Sequence, residues 1–363
     1  MNENAESTNM KHMRVKKAVY IATICLVVLF LLIVIVLYVV IPIVFMLSFS
    51  VQENLMFTRF GLSRDRERFD LNLTGLRNFY VTVTDRDTNK RLSLGVWQLL
   101  PWDVVDKNEK NLTNIDYDEV LANGTYPVLL HFHGTGETRR DGFMMFLTLR
   151  LFFHVIAFDY RGYGDSSDGL MTETAVVEDC KQMYQWLRSK TKAKIYIWGR
   201  SLGASLGLRT AAESSQDGII PAGVVVESAF TTMREEIPVH PFGQIYKWLP
   251  WLEATILRPL EENGFFFNNS KHIVQVPAPV MMFHAEDDSV IPIRLGQKLH
   301  QIAKNRNNTL GRVVFHQIPK EFNCDHYALY LYPDLPVFIL NFLDMSVTKH
   351  LTNLEMKYVL PNW

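Results

Sequence analysis

The chain has 363 residues, with 37 Lys and Arg against 38 Asp and Glu. That near-neutral balance excludes a nucleic-acid binder held by surplus basic charge. Hydrophobic residues make up 48%, with 19 Gly, 15 Pro and 3 Cys; there is no low-complexity tract or fixed-period repeat, and too few Cys for a disulfide scaffold.

Residues 1–17 form a short tail carrying Lys11, Arg14, Lys16 and Lys17 against Glu3 and Glu6. No charged residue follows from Ala18 to Ser48. The run is long enough to cross a bilayer, too long for a signal-peptide core, and no clear small-residue cleavage site follows it. Residues 18–47 are therefore expected to be a retained transmembrane signal-anchor helix. The basic flank predicts a cytosolic N-terminus and a large domain in the lumen or outside. Residues 48–75, with Arg64-Asp65-Arg66-Glu67-Arg68, read as a juxtamembrane linker.

From residue 76 to 363 apolar strand-like runs alternate with helical ones. The strands are expected at Phe79–Thr84, Leu94–Leu100, Val128–His133, His154–Tyr160, Ile195–Trp198, Gly223–Glu227, Val280–Phe283 and Val313–Ile318. Helices are expected at Thr174–Ser189, Ala204–Ser214, Ile293–Lys304 and Leu335–Asp344. This alternation predicts an α/β domain, a mostly parallel eight-stranded sheet with helices on both faces. The rhythm breaks over about 229–272, where Phe230, Phe242, Tyr246, Trp248, Trp251, Phe265, Phe266 and Phe267 crowd together. An apolar insertion there reads as a lid and favours an acyl chain over a sugar or a peptide. Cys180 and Cys324 are the only pair outside the anchor and read as free buried thiols.

The chemistry begins at Gly199-Arg200-Ser201-Leu202-Gly203, between a strand and a helix. That context suits a nucleophile elbow, with glycines where a Cβ would meet the neighbouring strand and helix. The overlapping match at Ser205 falls inside the helix and reads as packing. A serine hydroxyl needs a base and an orienting acid, and in elbow hydrolases these follow in the order acid, then His. His284-Ala285-Glu286-Asp287-Asp288 follows one strand, and Asn323-Cys324-Asp325-His326 follows the next. Asp288 is read as the acid and His326 as the base. Glu286 and Asp287 remain rivals that spacing does not exclude. No nearby His or Cys completes a metal ligand set around this acidic trio, and neither metal nor cofactor is expected. His133, His300 and His316 read as structural. The oxyanion donors are expected to be the Leu202 amide, just after the nucleophile, and the Thr135 amide in His133-Gly134-Thr135-Gly136. Sequons at Asn72, Asn111, Asn123, Asn268 and Asn307 agree with an extracytosolic domain. The chain ends without a Lys-Asp-Glu-Leu-type retention signal.

Several segments carry a resemblance. They are His133-Gly134, Phe158-Asp159-Tyr160-Arg161-Gly162-Tyr163-Gly164-Asp165-Ser166, Tyr196–Gly203, Glu227-Ser228-Ala229-Phe230-Thr231, His240-Pro241-Phe242 and His284–Asp288. Over roughly residues 90–345, plus the anchor, the chain resembles the membrane-anchored α/β-hydrolase-fold serine lipases that cleave lysophosphatidylserine and monoacylglycerols. The resemblance implies the α/β-hydrolase fold, the roles given above to Ser201, Asp288 and His326, and a lumenal catalytic domain in the endoplasmic reticulum membrane. It implies a lipid substrate reached from the bilayer, with no nucleic acid; oligomeric state is open. Arg200 replaces a usual His, and Thr135 stands where Asn is common. An Arg beside the pocket would favour an anionic headgroup. Two alternatives use the same fold: a protein-cysteine acyl thioesterase (depalmitoylase) or peptidase on the same triad, and a catalytically dead binding module.

Overall fold

The computed structural model describes residues 2–59, 62–107 and 115–344. An N-terminal helix α1 (Asn2–Ile35) passes through one π-helical turn (Val36–Val40) into α2 (Ile41–Leu47) and then α3 (Phe49–Phe57). Residues Asn9–Leu47 are long and apolar enough to span a bilayer, and the most apolar stretch is bare of protein contacts. The part expected as linker behaves otherwise. Ser48 caps α3 through its hydroxyl, and α3 docks on the domain. Phe57 is fully buried and meets Phe265 and Phe267 edge-on, while Phe49 stacks on Phe265. The apolar stripe of Phe49, Met56 and Phe57 was hidden in a segment whose later residues are densely charged.

Eight strands form one sheet: β1 (Leu76–Thr84), β2 (Arg91–Leu99), β3 (Val128–Phe132), β4 (His154–Phe158), β5 (Ile195–Arg200), β6 (Gly223–Glu227), β7 (Val280–Ala285) and β8 (Val313–Ile318). Their spatial order is β1-β2-β4-β3-β5-β6-β7-β8. β2 runs antiparallel to β1 and β4, and the pairs from β4 through β8 are parallel. Strands β3 to β7 are buried along their whole length, as a sheet covered on both faces requires. Successive residues still split between faces. Leu130, Ile156, Ile197, Val224 and Met282 join one core cluster, and Leu129, Val155, Trp198, Val225 and Met281 the other.

The remaining helices fall on the two faces. Helix α4 (Phe143–Leu149) and α8 (Leu335–Phe342) supply Phe146, Leu149, Ile339 and Leu340 to the second cluster; α5 (Glu173–Lys190), α6 (Leu202–Gln216) and α7 (Ile293–Lys304) supply Val176, Met183, Leu206, Ala211 and Leu299 to the first. The first two strands begin earlier than expected because β1 and β2 pair as a hairpin from Leu76↔Leu99 to Thr84↔Arg91. Polar residues such as Arg77 and Arg91 extend it, so it does not read as an apolar run. Cys180 and Cys324 are free and buried.

Candidate active site

β5 delivers Ser201 at its carboxyl end. Its backbone sits at φ 55°, ψ −119°, a conformation that L residues rarely adopt and that functional sites store as strain. The flanking glycines make this turn possible. A Cβ on Gly199 would lie 2.2 Å from the Gly203 carbonyl oxygen, and one on Gly203 would lie 2.1 Å from that of Phe132. The Ser201 amide donates to the Glu227 carbonyl at 2.9 Å, which ties the elbow to β6. Leu202 opens α6, where first-turn amides have no intrahelical acceptor and remain available to a ligand. Ser205, one turn on, accepts from Asn269 Nδ2 at 2.8 Å within the packed interior.

Asp288 follows β7 and His326 follows β8. His326 Nδ1 lies 3.0 and 2.9 Å from the two Asp288 oxygens. Asp288 Oδ1 also accepts from the Val290 and Ile291 amides at 3.0 and 2.8 Å. His284 Nε2 stands 3.3 Å from Asp288 Oδ2. Burial alone would raise this carboxyl's pKa, but hydrogen bonds and charge from His284 and His326 outweigh burial and hold it well below the usual range. The neighbouring acids do other things. Glu286 is exposed, and Asp287 Oδ2 accepts from the Asp325 amide at 3.2 Å. Asp325 in turn accepts from the Ser289 amide at 2.7 Å. These two bonds lace the acid loop to the base loop. The partner His284 was not anticipated: it lies in the quoted His-Ala-Glu-Asp-Asp run, but no spacing rule marks a strand residue that bonds across its own loop.

Arg200 is turned into the protein. Its side chain is buried, donates to Glu137 Oε1 at 2.5 Å and to the Tyr327 carbonyl at 3.2 Å, and lies over the Tyr327 ring. Burial would lower its pKa, but Glu137 and Glu227 raise it overall, so the charge persists. Glu137 Oε2 accepts from the Gly134 amide at 2.9 Å. One ion pair thus joins three pieces: the elbow, the His133–Gly136 loop and the loop that carries His326. Glu137 was the other residue missed, although it is the one acid beside that small-residue loop. Thr135 directs its hydroxyl to the Met56 carbonyl at 2.9 Å, and the Tyr163 hydroxyl donates to the Phe57 carbonyl, so α3 also braces this loop.

The other histidines are structural. His133 is buried between Tyr160 and Tyr163, and its Nδ1 lies 2.9 Å from the Gly134 carbonyl. His300 packs on Phe315, and His316 stacks 3.7 Å from Phe338, where burial lowers its pKa to about 4. The Phe158–Ser166 segment is a buried latch: Asp159 pairs with Arg139, and Arg161 with Asp179 and Asp85.

The insertion over the site contains short helices at Met233–Glu236, Arg258–Glu262 and Asn269–Ile273 and a π-helical turn at Glu253–Leu257. Its far leg is pinned where Glu173 accepts from the Phe266 and Phe267 amides at 2.9 and 2.7 Å. His240 lies near enough to His326 for the two rings to repel when charged; burial and that neighbour lower its pKa. Among the described residues no cluster of His, Cys, Asp and Glu forms a metal site. The arrangement is suited to acyl transfer: a strained serine, a histidine held by a carboxylate, and free amides beside it.

Residues 128–340 match the model of the Alpha/beta hydrolase family. The chain is 32% identical to a Xenopus tropicalis protein named lysophosphatidylserine lipase ABHD12, over 87% of this chain and 82% of that one. It is 30% identical to the zebrafish (Danio rerio) protein of the same name, over 84% and 80%. Among solved structures, the Pyrococcus furiosus esterase Pf2001 superposes with a TM-score of 0.50 at 18% identity, covering 75% of this chain and 91% of that one, a likeness of fold.

Proposed function

The chain belongs to the Alpha/beta hydrolase family, and from that premise we propose that it is a single-pass membrane serine hydrolase cleaving fatty-acyl esters of lysophospholipids of the lysophosphatidylserine kind, with monoacylglycerols as a second substrate class. The hydrogen bonds from His326 to both Asp288 oxygens, at the carboxyl end of the sheet that carries Ser201, support this reading most directly. Ser201 Oγ attacks the ester carbonyl while His326 Nε2 takes its proton. Asp288 fixes the imidazole tautomer and stabilises the imidazolium. The Leu202 and Thr135 amides receive the oxyanion. His326 returns the proton to the departing oxygen of the deacylated glycerophosphodiester or glycerol, and water then releases the fatty acid from Ser201 by the same route in reverse. The names of the relatives and the apolar character of the lid favour a lysolipid over an acylated protein or a peptide.

The test is fluorophosphonate labelling and lysophosphatidylserine hydrolysis by the membrane-embedded protein. Wild type should label and turn over, and Ser201→Ala should lose both, by on the order of 10³-fold or more in rate. A folded wild type that neither labels nor hydrolyses would overturn the reading in favour of a binding module. Labelling with turnover only of acylated peptides would favour the thioesterase.

We further propose that the domain is lumenal in the endoplasmic reticulum membrane, with residues 1–17 cytosolic. The basic flank before the span supports this orientation. The sequon side chains Asn72, Asn123 and Asn307 are exposed. Asn268 is partly covered and caps the Asn269–Ile273 helix, and Asn111 lies outside the described residues. Endoglycosidase H should shift the gel mobility of the expressed protein, and Asn72→Gln, Asn123→Gln and Asn307→Gln together should abolish most of the shift. An unshifted wild type would place the domain on the cytosolic side.

A further inference from the structure

The outer tip of the lid gathers exposed aromatic and aliphatic side chains with almost no charge. Between Ile237 and Leu252 the only Lys, Arg, Asp or Glu is Lys247. Within this stretch Phe242 is 75% and Trp248 81% exposed, and Ile245 and Trp251 are exposed as well. Lys247 lies over the Trp248 ring, 4.9 Å from its centroid. Packing does not require such residues to face outward, and a water-facing loop would not gather them.

The tip has a fixed relation to the membrane span. Trp251 Nε1 donates to the Tyr38 carbonyl at 3.0 Å, and the Tyr38 and Tyr246 rings meet edge-on at 6.3 Å. From Asn9 to Leu37 the helix is exposed apart from half-buried Val34; after Tyr38, Pro42 and Phe45 are buried against the domain while the opposite side, with Ile41, Val44 and Leu47, stays exposed. The bare apolar run from Ala18 to Leu37 is about 20 residues, roughly 30 Å at 1.5 Å per residue, which matches the hydrocarbon thickness of a bilayer. A span over these residues would place Tyr38 at the level where the chain leaves the hydrocarbon. Tyr246, Trp251 and Trp248 stand at the same end, and this Trp, Tyr and Lys composition is that of an interfacial belt.

We propose that residues 241–251 are a second membrane-attachment site, with Phe242, Ile245 and Trp248 seated in the interfacial layer of the leaflet that the span exits at Tyr38. The occupant of this apolar surface is the lipid bilayer, and the Lys247 ammonium faces the headgroup phosphates. The proposal rests on the helix being a membrane span. Its consequence is that the lid opens toward lipid: His240, at the base of the tip, is close enough to His326 to feel its charge, so the attached tip and the general base belong to one side of the domain.

The experiment uses the full chain in nanodiscs of phosphatidylcholine, with tryptophan emission compared between wild type and Trp248→Phe. The difference emission reports Trp248 alone. Lipids brominated near the carbonyl end of the acyl chain should quench it strongly, and aqueous iodide should quench it little. Strong iodide quenching without lipid quenching would overturn the proposal. So would protection from both quenchers in discs holding two copies, because the occupant would then be a second copy of this chain. A triple variant, Phe242→Ser with Ile245→Ser and Trp248→Ser, adds a kinetic readout. Its rate on a vesicle-embedded long-chain lysolipid should fall about tenfold, while its rate on soluble p-nitrophenyl acetate stays within about twofold. Equal loss on both substrates would overturn the proposal. Should wild type hydrolyse neither, the assigned reaction fails, yet the quenching result stands on its own.

Discussion

The floor of the site and the lid above it are built on opposite terms. In the floor the groups that shape the site are buried and held: Asp288 by two amides and two imidazoles, Glu137 by Arg200 and the Gly134 amide, and the Ser201 amide by the Glu227 carbonyl. In the lid the far leg is pinned, by Glu173 at Phe266 and Phe267 and by Asn269 bonded to Ser205 and to the Phe230 carbonyl of the near leg, but the tip leaves Phe242 and Trp248 bare. The floor is specified from within, because a buried polar group must find partners inside the protein. The lid tip is specified from outside, by whatever covers it. Rigidity therefore belongs where charge develops in the reaction, and the capacity to move belongs where substrate enters.

The largest effect that would break this contrast is at Asp288. Asp288→Asn keeps the shape of the side chain but loses the charge that holds the His326 tautomer. It should lower kcat by on the order of 10²–10⁴-fold with little change in KM. Steady-state kinetics on one soluble ester suffices; an unchanged kcat would mean that the carboxylate only supports the loop.

Next comes the ion pair that joins the elbow to two loops. Arg200→Met leaves Glu137 buried without its cation and should cost on the order of 3–5 kcal/mol of stability, measured by thermal denaturation in detergent. The double variant with Glu137→Gln should cost less than the sum of the singles. Because Arg200 faces Glu137 and Tyr327 rather than open space, Arg200→His should alter rates on lysophosphatidylserine and monoacylglycerol by the same factor. A selective loss of the anionic substrate would show the guanidinium to be a headgroup contact after all.

The same contrast explains what the sequence disclosed. Each of the eight strands lay within a few residues of its expected place; β3 to β7 were the plainest, because strands covered on both faces are apolar throughout, whereas the less fully covered β1, β2 and β8 carry polar residues that interrupt the apolar run. The Ser201 turn was legible because its two glycines are a steric necessity rather than a preference. Asp288 was separable from Asp287 and Glu286 only in three dimensions, since three consecutive acids differ in direction and not in spacing. Glu137 and His284 were missed for a related reason: a partner distant in sequence, or across a loop, has no periodic signature. α3 was missed because its docking face consists of a few aromatics whose complement, Phe265 and Phe267, lies some 200 residues away.

The smallest predicted effect concerns Glu236, a buried carboxyl at the root of the lid. Burial pushes its pKa up from 4.5 to about 8. Between those values the folded chain keeps a proton that the unfolded chain has released, so stability must fall as pH rises from about 4.5 to 8 and level off above. A rigid lid would impose the whole penalty. A lid that opens locally exposes the carboxylate and relieves it, which caps the loss at the free energy of opening, on the order of 1–3 kcal/mol. Glu236→Gln should remove that slope and leave the stability at pH 5 nearly unchanged, as read from thermal midpoints across the range. If the slope survives, another group carries it. If it disappears while the wild-type loss stays well below the full shift, the difference measures how easily the lid opens over a floor that does not.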